Sequence, residues 1–155
     1  MQLTKEIAKQ VRGIYFGGNW TASSLKEHLS NVTWKQATTE IYNLNTIATL
    51  AHHINYYTCR VNEFLEGNPF AAKDSLSFTH PPITSEKEWQ NFLDNLWDDG
   101  ERFAKSIEQL ADDKLGAIFL EEKYGHYYYN FSGILEHAYY HLGQIVLIKK
   151  ILVHK

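Results

Sequence analysis

Apolar residues recur with helical period in four long segments, and this pattern constrains the fold more than any other feature of the chain. The predicted helices are Leu3 to about Phe16, Asn45 or Thr46 to Glu66, Ser85 to about Ala111, and about Asn130 to Val153. Gly17 and Gly18 end the first helix, and a capping box of Ser85 and Glu88 begins the third. Four such helices bury their apolar stripes against one another, so the sequence predicts an all-α four-helix bundle.

Two of the connections between these helices are long. Residues 19–45 are the least regular part of the chain, with a short helix predicted from Ser24 to Leu29. Residues 67–84 contain Pro81 and Pro82 and are long enough to cross one end of a bundle. The second and third helices therefore need not be simple antiparallel neighbours.

The size and composition predict one domain spanning residues 1–155. Hydrophobic residues make up 44% of the chain and charged residues 21%, which is ordinary for a globular protein. The net charge of -3 offers no basic field for phosphates, so nucleic acid is not an expected partner. Cys59 is the only cysteine, which excludes an internal disulfide and suits a reducing compartment. Without a secretory or membrane-spanning stretch, the sequence predicts a cytoplasmic protein that does not enter membranes.

Three histidines lie beside the apolar stripes of the second and fourth predicted helices. His53 lies at the edge of its stripe, whereas the adjacent His52 lies on the outer side. His137 and His141 lie one turn apart on one border of the fourth helix. Three neutral imidazoles from two helices can hold one cation and leave coordination positions open for water or substrate. Alternatively, the three rings are half-buried bundle residues that form hydrogen bonds with tyrosines or backbone.

Several better-defined templates do not fit the sequence. Ala138 occupies the position of the general-base glutamate in the zinc-peptidase motif HExxH, so peptidase chemistry of that type is not expected. The paired Glu-x-x-His motifs of di-iron bundles are missing as well. No Ser, Cys or Thr nucleophile stands beside a recognisable base, and Cys59 is predicted to pack on the outer half of its helix.

Two stretches of the chain resemble a known family. Residues Glu136 to Ile145 read EHAYYHLGQI, and residues Leu50 to Ile54 read LAHHI. The first stretch looks like the final-helix signature of the DinB-like, or YfiT-like, four-helix-bundle proteins. The second is a weaker match to the motif on the second helix of that family. Helix order, the long connection after the second helix and the total length are also similar.

This resemblance implies an up-down-down-up bundle, commonly a homodimer, in which three histidines hold a divalent metal, usually zinc or nickel. Carried over to this chain, the ligands become His53, His137 and His141, with His52 as the alternative on the second helix. Characterised relatives include transferases that conjugate low-molecular-weight thiols such as bacillithiol, and a mycothiol-dependent isomerase. The resemblance therefore implies a metal-dependent enzyme that acts on a small molecule.

Several functions remain open at this point. An ion held by three neutral imidazoles acts as a Lewis acid on a bound thiol or water, so a thiol S-transferase and a metal-dependent hydrolase are both compatible with the site. A different class is a non-catalytic dimeric bundle in which the metal or the histidines tie two helices together. The remaining alternative is a small-ligand binder without a metal.

Three residues near the proposed ligands are candidates for a substrate pocket. Tyr57 and Arg60 lie one and two turns beyond His53, and Gln144 lies about one turn beyond His141. Their alternative roles are those of a core aromatic, a solvated surface charge and a hydrogen-bond partner between helices, respectively.

The fourth helix also predicts an interface, because Tyr140, Leu147 and Ile151 lie outside its main apolar stripe. A helix that is apolar on most sides is usually buried on most sides, so a second copy of the chain is predicted to cover part of this surface. Residues 127–129 could cover it instead. The other histidines are predicted to lie on the surface or in loops; they are His28, His80, His126 and His154.

Overall fold

The computed structural model describes residues 2–153, and the prediction for His154 lies outside the described residues. The helices are α1 (Leu3–Phe16), α2 (Leu25–Leu29), α3 (Trp34–Thr38), α4 (Ile47–Leu65), α5 (Glu86–Glu108) and α6 (Tyr127–Val153). Short 3₁₀ turns lie at Asp74–Leu76, Asp112–Gly116 and Glu122–Tyr124. Within residues 2–153 there is no strand, only an isolated bridge between Ile118 and His126. The predicted all-α four-helix bundle is confirmed, with α1, α4, α5 and α6 as its main helices.

The directions of α1 and α5 follow from the polar contacts between them. Arg12 pairs with Glu101 and Glu108, while Thr4, at the start of α1, binds Asp112 just beyond the end of α5. Higher residue numbers on one helix therefore meet lower numbers on the other. The two helices run antiparallel.

Contacts of α4 with its two neighbours complete the topology. Asn55 donates to Asp99, and Glu66 pairs with Arg102, so α4 and α5 run parallel. Helices α4 and α6 run antiparallel. His53, in the first half of α4, meets His137 on α6. Phe64, near the end of α4, lies close to the start of α6, because it packs on Phe119 and Phe119 contacts Tyr127. The bundle is therefore up-down-down-up. The long connection over residues 67–84 returns the chain to the end of the bundle at which α4 began.

Local capping explains where several helices begin. The hydroxyl oxygen of Thr46 accepts from the backbone N–H of Thr49, and that of Ser85 accepts from Glu88, as the sequence predicts. Helix α3 is not predicted, because residues 32–41 are rich in polar and β-branched side chains. A reciprocal capping box between Thr33 and Gln36 starts it nonetheless.

Helix α6 begins three residues before the predicted Asn130. Tyr127 is buried and packs edge-on against Phe119 and Phe131, so its ring belongs to the core rather than to a connection. Burial of this ring stabilises one further helical turn. The run of neighbouring tyrosines gives no helical pattern from which this could be predicted.

The contact of α1 with α5 depends on Gly100. A Cβ at this position would overlap the ring of Tyr15, so only glycine lets the ring pack directly on the α5 backbone. The Tyr15 hydroxyl lies 3.1 Å from both Thr58 and Asn55, which links α1 to α4 as well. Helix α5 is continuous through Gly100.

The membrane prediction can be compared with the helices directly. Over residues 2–153, none of them combines the length and the apolar content needed to cross a lipid bilayer.

Candidate metal centre

His53, His137 and His141 come together between α4 and α6. One ring nitrogen from each lies within 4.8 Å of the other two. His137 and His141 are one turn apart on α6, and the antiparallel packing of α4 places His53 opposite them. His53 and His141 are buried, with 6% and 9% of their surfaces exposed, and His137 is half-buried. The structure thus brings together the three histidines that the sequence selects, and the group could hold a metal ion.

The spacing of the ring nitrogens suits a shared ion. The Nε2 atoms of His53 and His137 are 2.9 Å apart. Two nitrogen ligands that each lie about 2.0–2.1 Å from one zinc ion are separated by roughly 2.9–3.4 Å, depending on the angle between them. The His53–His137 pair is already at the lower end of that range. The residues present therefore fit a divalent ion that prefers imidazole ligands.

Two of the three rings are oriented by a partner on their second nitrogen. Nδ1 of His53 lies 3.3 Å from the carbonyl oxygen of Ser77, and Nδ1 of His141 lies 2.6 Å from Oε1 of Gln144. If Nδ1 carries the proton and donates it to these oxygens, Nε2 of each ring is left with its lone pair. This arrangement is typical of histidines that bind metals, and Nε2 of His53 faces Nε2 of His137.

Burial and charge favour the neutral form of His53 and His137. Desolvation is the main cause that lowers the pKa of His137 to about 4, and the nearby His141 and His53 contribute to the same shift. Desolvation and then His141 also lower the pKa of His53 below its ordinary value. A neutral imidazole is the form that binds a metal, so these two rings are available as ligands at neutral pH.

Aromatic side chains enclose the group on one side. Phe78 stacks on the His53 ring, with centroids 3.8 Å apart and planes 13° from parallel. The Tyr57 ring meets both His53 and His137 edge-on at 5.4 Å, and its hydroxyl donates to Oδ1 of Asp74 at 2.9 Å. These rings reduce the access of water to His53.

A cavity of about 630 Å³ opens beside the histidines and has His53 and His137 in its wall. Its other walls come from α4, from the connection after α4, from the segment before α6 and from α6 itself. This volume lies within the usual range for small-molecule sites. The histidine group is therefore accessible to a ligand from this side.

The three predicted pocket residues have different surroundings. Tyr57 lines the cavity. Gln144 does not line it but contacts His141 directly, which gives it a role in orienting a ring rather than in a pocket wall. Arg60 faces elsewhere, because it pairs with Glu63 and lies over the Tyr56 ring. The structure offers no contact between Arg60 and the cavity.

His52 and Cys59 lie outside the histidine group. His52 approaches the carbonyl oxygen of Leu76, and its ring meets Tyr56 and His80. His53 is therefore the member of this pair that faces α6. The thiol of Cys59 donates to Asp99 across the contact between α4 and α5, and burial raises its pKa. A protonated, half-buried thiol that forms this hydrogen bond packs rather than reacts.

Sequence reasoning missed the part of the site that comes from the connection after α4. Asp74, Ser77 and Phe78 all belong to residues 67–84, which fold back along α4 and over His53. Ser77 acts through its backbone carbonyl, which no side-chain pattern reveals. Glu136, also in the cavity wall, precedes His137 and could have been noticed as a neighbour of the ligands.

Comparison of the chain with family models, with curated proteins and with solved structures gave no match.

Proposed function

We propose that this chain is a divalent-metal-dependent enzyme whose ion is held by His53, His137 and His141. The observation that carries the proposal is the convergence of three imidazole nitrogens within 4.8 Å, beside an open cavity. A structural zinc site is usually closed by four protein ligands, whereas three ligands leave a position for a reacting molecule. The resemblance to DinB-like proteins implies zinc or nickel, and both ions accept imidazole nitrogen.

The chain's own residues prepare this site in three ways. Ser77 and Gln144 hold His53 and His141 through their Nδ1 atoms, Phe78 shields His53 from water, and the cavity admits a small molecule beside His137. A bound divalent ion would supply Lewis acidity, because three neutral imidazoles leave its double positive charge uncompensated. Preorganised ligands of this kind need little rearrangement when an ion or a substrate arrives.

The reaction we propose is S-transfer, in which the S–H bond of a small thiol breaks and its sulfur forms a bond to an electrophilic carbon. The bond from that carbon to its leaving group breaks with its electron pair, and the leaving group takes up the proton. The resemblance of EHAYYHLGQI and LAHHI to DinB-like proteins supports this reaction class and a place for the chain in that family. Hydrolysis of a small molecule by the same site is the competing reaction. The two reactions differ in the nucleophile, so a screen of electrophiles with and without an added thiol distinguishes them.

Elemental analysis of protein purified without a histidine tag tests the metal site. We expect about one divalent ion per chain in the wild type and almost none in the variant His53→Ala. We also expect S-transfer activity to disappear with a chelator and to return with zinc or nickel. Absence of an ion from every preparation, even after reconstitution, would contradict the proposal.

The second candidate function is a non-catalytic dimer with a structural metal. The observation that favours it is the exposed apolar surface of α6, where Tyr140 and Leu147 leave 66% and 58% of their surfaces accessible. These fractions remain accessible with the tyrosines of residues 127–129 in place, whereas Ile151, the third residue of the predicted surface, packs partly buried against the core. We propose that a second copy of the chain covers this surface, whichever function the metal has.

Thermal unfolding separates the candidates, and sedimentation tests the second copy. If the metal serves catalysis, the chain should stay folded when the metal is removed. If the metal is structural, its removal should lower the melting temperature by many degrees. Sedimentation over a range of concentrations should give a dimer for the wild type and a monomer for Leu147→Glu. A wild-type monomer at every concentration would refute the second copy.

A further inference from the structure

The cavity beside His53 and His137 has an unusual combination of charge and ring content. Among residues 2–153, no Lys or Arg lines it, whereas the acidic residues Asp74 and Glu136 do. Lys73 and Lys123 are close in sequence to lining residues, but neither lines the cavity, and Lys123 pairs with Glu121 at 3.0 Å. In the metal-free chain, these two acidic residues therefore give the cavity a negative potential, which favours cationic ligands over anionic ones.

Asp74 is held in place at the cavity wall. The Tyr57 hydroxyl donates to its Oδ1 at 2.9 Å, and the 3₁₀ turn Asp74–Leu76 fixes the backbone on which it sits. Glu136 lies on α6 directly before His137. The carboxylates thus come from two separate elements, the connection after α4 and α6, and both border the space in front of the histidines.

Five aromatic rings line the same cavity. They are Tyr57, Phe70, Phe119, Tyr124 and Tyr129. Phe70 contacts Phe119 and Tyr124 at centroid distances of 5.8 and 6.4 Å, so these three form one continuous wall. The chain itself places an ammonium group over one of them, since Nζ of Lys123 lies 4.8 Å from the centroid of Tyr124. Aromatic faces combined with carboxylates are the surroundings that organic cations prefer.

We propose that this cavity selects a small molecule that carries an ammonium group on an apolar body. Resting on the proposed function, this molecule is the substrate of the metal site, either as the thiol or as its electrophilic acceptor. The apolar body lies against Phe70 and Phe119, and the ammonium lies among the carboxylates and the tyrosine rings.

Calorimetric titration of the metal-free full chain with two probes tests the selectivity. Benzyltrimethylammonium and phenylmethanesulfonate have similar size and opposite charge, and the quaternary ammonium cannot coordinate an ion. We expect the ammonium to bind at least about tenfold more tightly than the sulfonate. Equal affinity, or a preference for the sulfonate, would overturn the proposal.

Matched variants locate the binding. We expect Glu136→Gln and Asp74→Asn each to weaken the ammonium probe by about fivefold, whereas Asp94→Asn, which removes an exposed charge on α5, should leave it unchanged. Glu136 is exposed, so its variant should fold even if Asp74→Asn does not. Tyr129→Leu should weaken the affinity for the probe by about threefold, whereas Tyr128→Leu should not change it, because Tyr129 lines the cavity and Tyr128 does not. Unchanged affinity in Glu136→Gln and Tyr129→Leu would overturn the assignment to this cavity.

The outcome is independent of the metal proposal. The ion content of the same wild-type protein is measured separately after reconstitution. Selective binding of the ammonium by a chain that takes up no ion would contradict the proposed enzyme and support the cavity's selectivity. Uptake of one ion by a chain that prefers the sulfonate would contradict the selectivity alone.

Discussion

The contact between α1 and α5 and the contact between α4 and α6 depend on different kinds of interaction. In the first, the Arg12 guanidinium binds both oxygens of Glu101 and also Glu108, and the Tyr15 ring fills the space that Gly100 leaves. In the second, three imidazoles face one another beside an open cavity. Opposite charges and close packing complete the first contact within the chain, whereas the second joins neutral rings, with a hydrogen bond between the Nε2 atoms of His53 and His137.

This difference separates stability from function in the bundle. Ring nitrogens that converge gain little from one another, so the second contact contributes less to folding than its burial suggests. An added cation would satisfy all three nitrogens at once. We therefore expect substitutions at the first contact to change stability and substitutions at the second to change ligand binding.

The largest expected effect is that of His137→Ala on metal content. Removing one of three ligands should lower the bound ion from about one per chain to almost none, while the metal-free protein unfolds at nearly the same temperature as the metal-free wild type. Elemental analysis and thermal unfolding measure the two quantities. His52→Ala is the matched control, because that ring lies next to His53 and outside the group. An equal loss of metal in this control would show that the ligands have been assigned incorrectly.

Gln144→Ala should have a smaller effect of the same kind. Without the acceptor on Nδ1, His141 loses its fixed orientation, and the affinity for the ion should fall by about 10- to 100-fold. Competition with a chelator of known affinity measures this change. Gln144→Glu retains an acceptor and should keep the ion, and Gln90→Ala on α5 should behave like the wild type. An unaltered affinity in Gln144→Ala would remove Gln144 from the site.

Gly100→Ala tests the other contact. The added methyl group would overlap the Tyr15 ring, so the ring must move away from Thr58 and Asn55. Overpacking of this kind costs about 1–3 kcal/mol, which exceeds the usual gain of alanine over glycine in a helix. Urea unfolding gives the value, and the metal content should not change. A more stable variant would show that Tyr15 adapts without loss.

Acidification should affect the two contacts in different pH ranges, measured on the metal-free protein. The folded pKa of His137 lies at about 4, below the ordinary 6.5, so the unfolded chain binds more protons between these values and stability falls as the pH falls from 6.5 to 4. Arg12 lowers the pKa values of Glu101 and Glu108 below the ordinary 4.5, so their contribution is present above pH 4.5 and is lost below it.

Variants assign these two ranges. His137→Gln should reduce the pH dependence between 6.5 and 4 and leave the part that belongs to His53, whose pKa is also lowered. Arg12→Leu should flatten it below 4.5 at a cost of roughly 1–2 kcal/mol at neutral pH. Arg102→Leu is the matched control, because that guanidinium is half exposed and should cost less than about 1 kcal/mol. If His137→Gln keeps the wild-type slope, another group titrates in the upper range.

How far the sequence predicts this molecule depends on which residues carry the information. Helix α1 begins and ends where the apolar period and Gly17 indicate, because both signals are local. The histidine group could be predicted because helical geometry fixes His137 relative to His141, and the apolar stripes fix which face of α4 turns towards α6. Local rules are sufficient for these features.

The remaining parts depend on tertiary contacts that the sequence does not show. Tyr127 joins α6 because Phe119 and Phe131 pack on it, although Phe119 lies outside any main helix. Ser77 and Phe78 reach His53 because the connection after α4 folds back along that helix. The ring contacts and backbone path of these segments follow from the completed bundle, so periodicity along the chain cannot reveal them.

Anomalous diffraction at the zinc edge, from crystals of the untagged chain grown with zinc, tests the central claim most directly. We predict one strong peak within about 2.0–2.1 Å of a ring nitrogen on each of His53, His137 and His141. A peak bound to His52 in place of His53, or no peak between α4 and α6, would contradict the account.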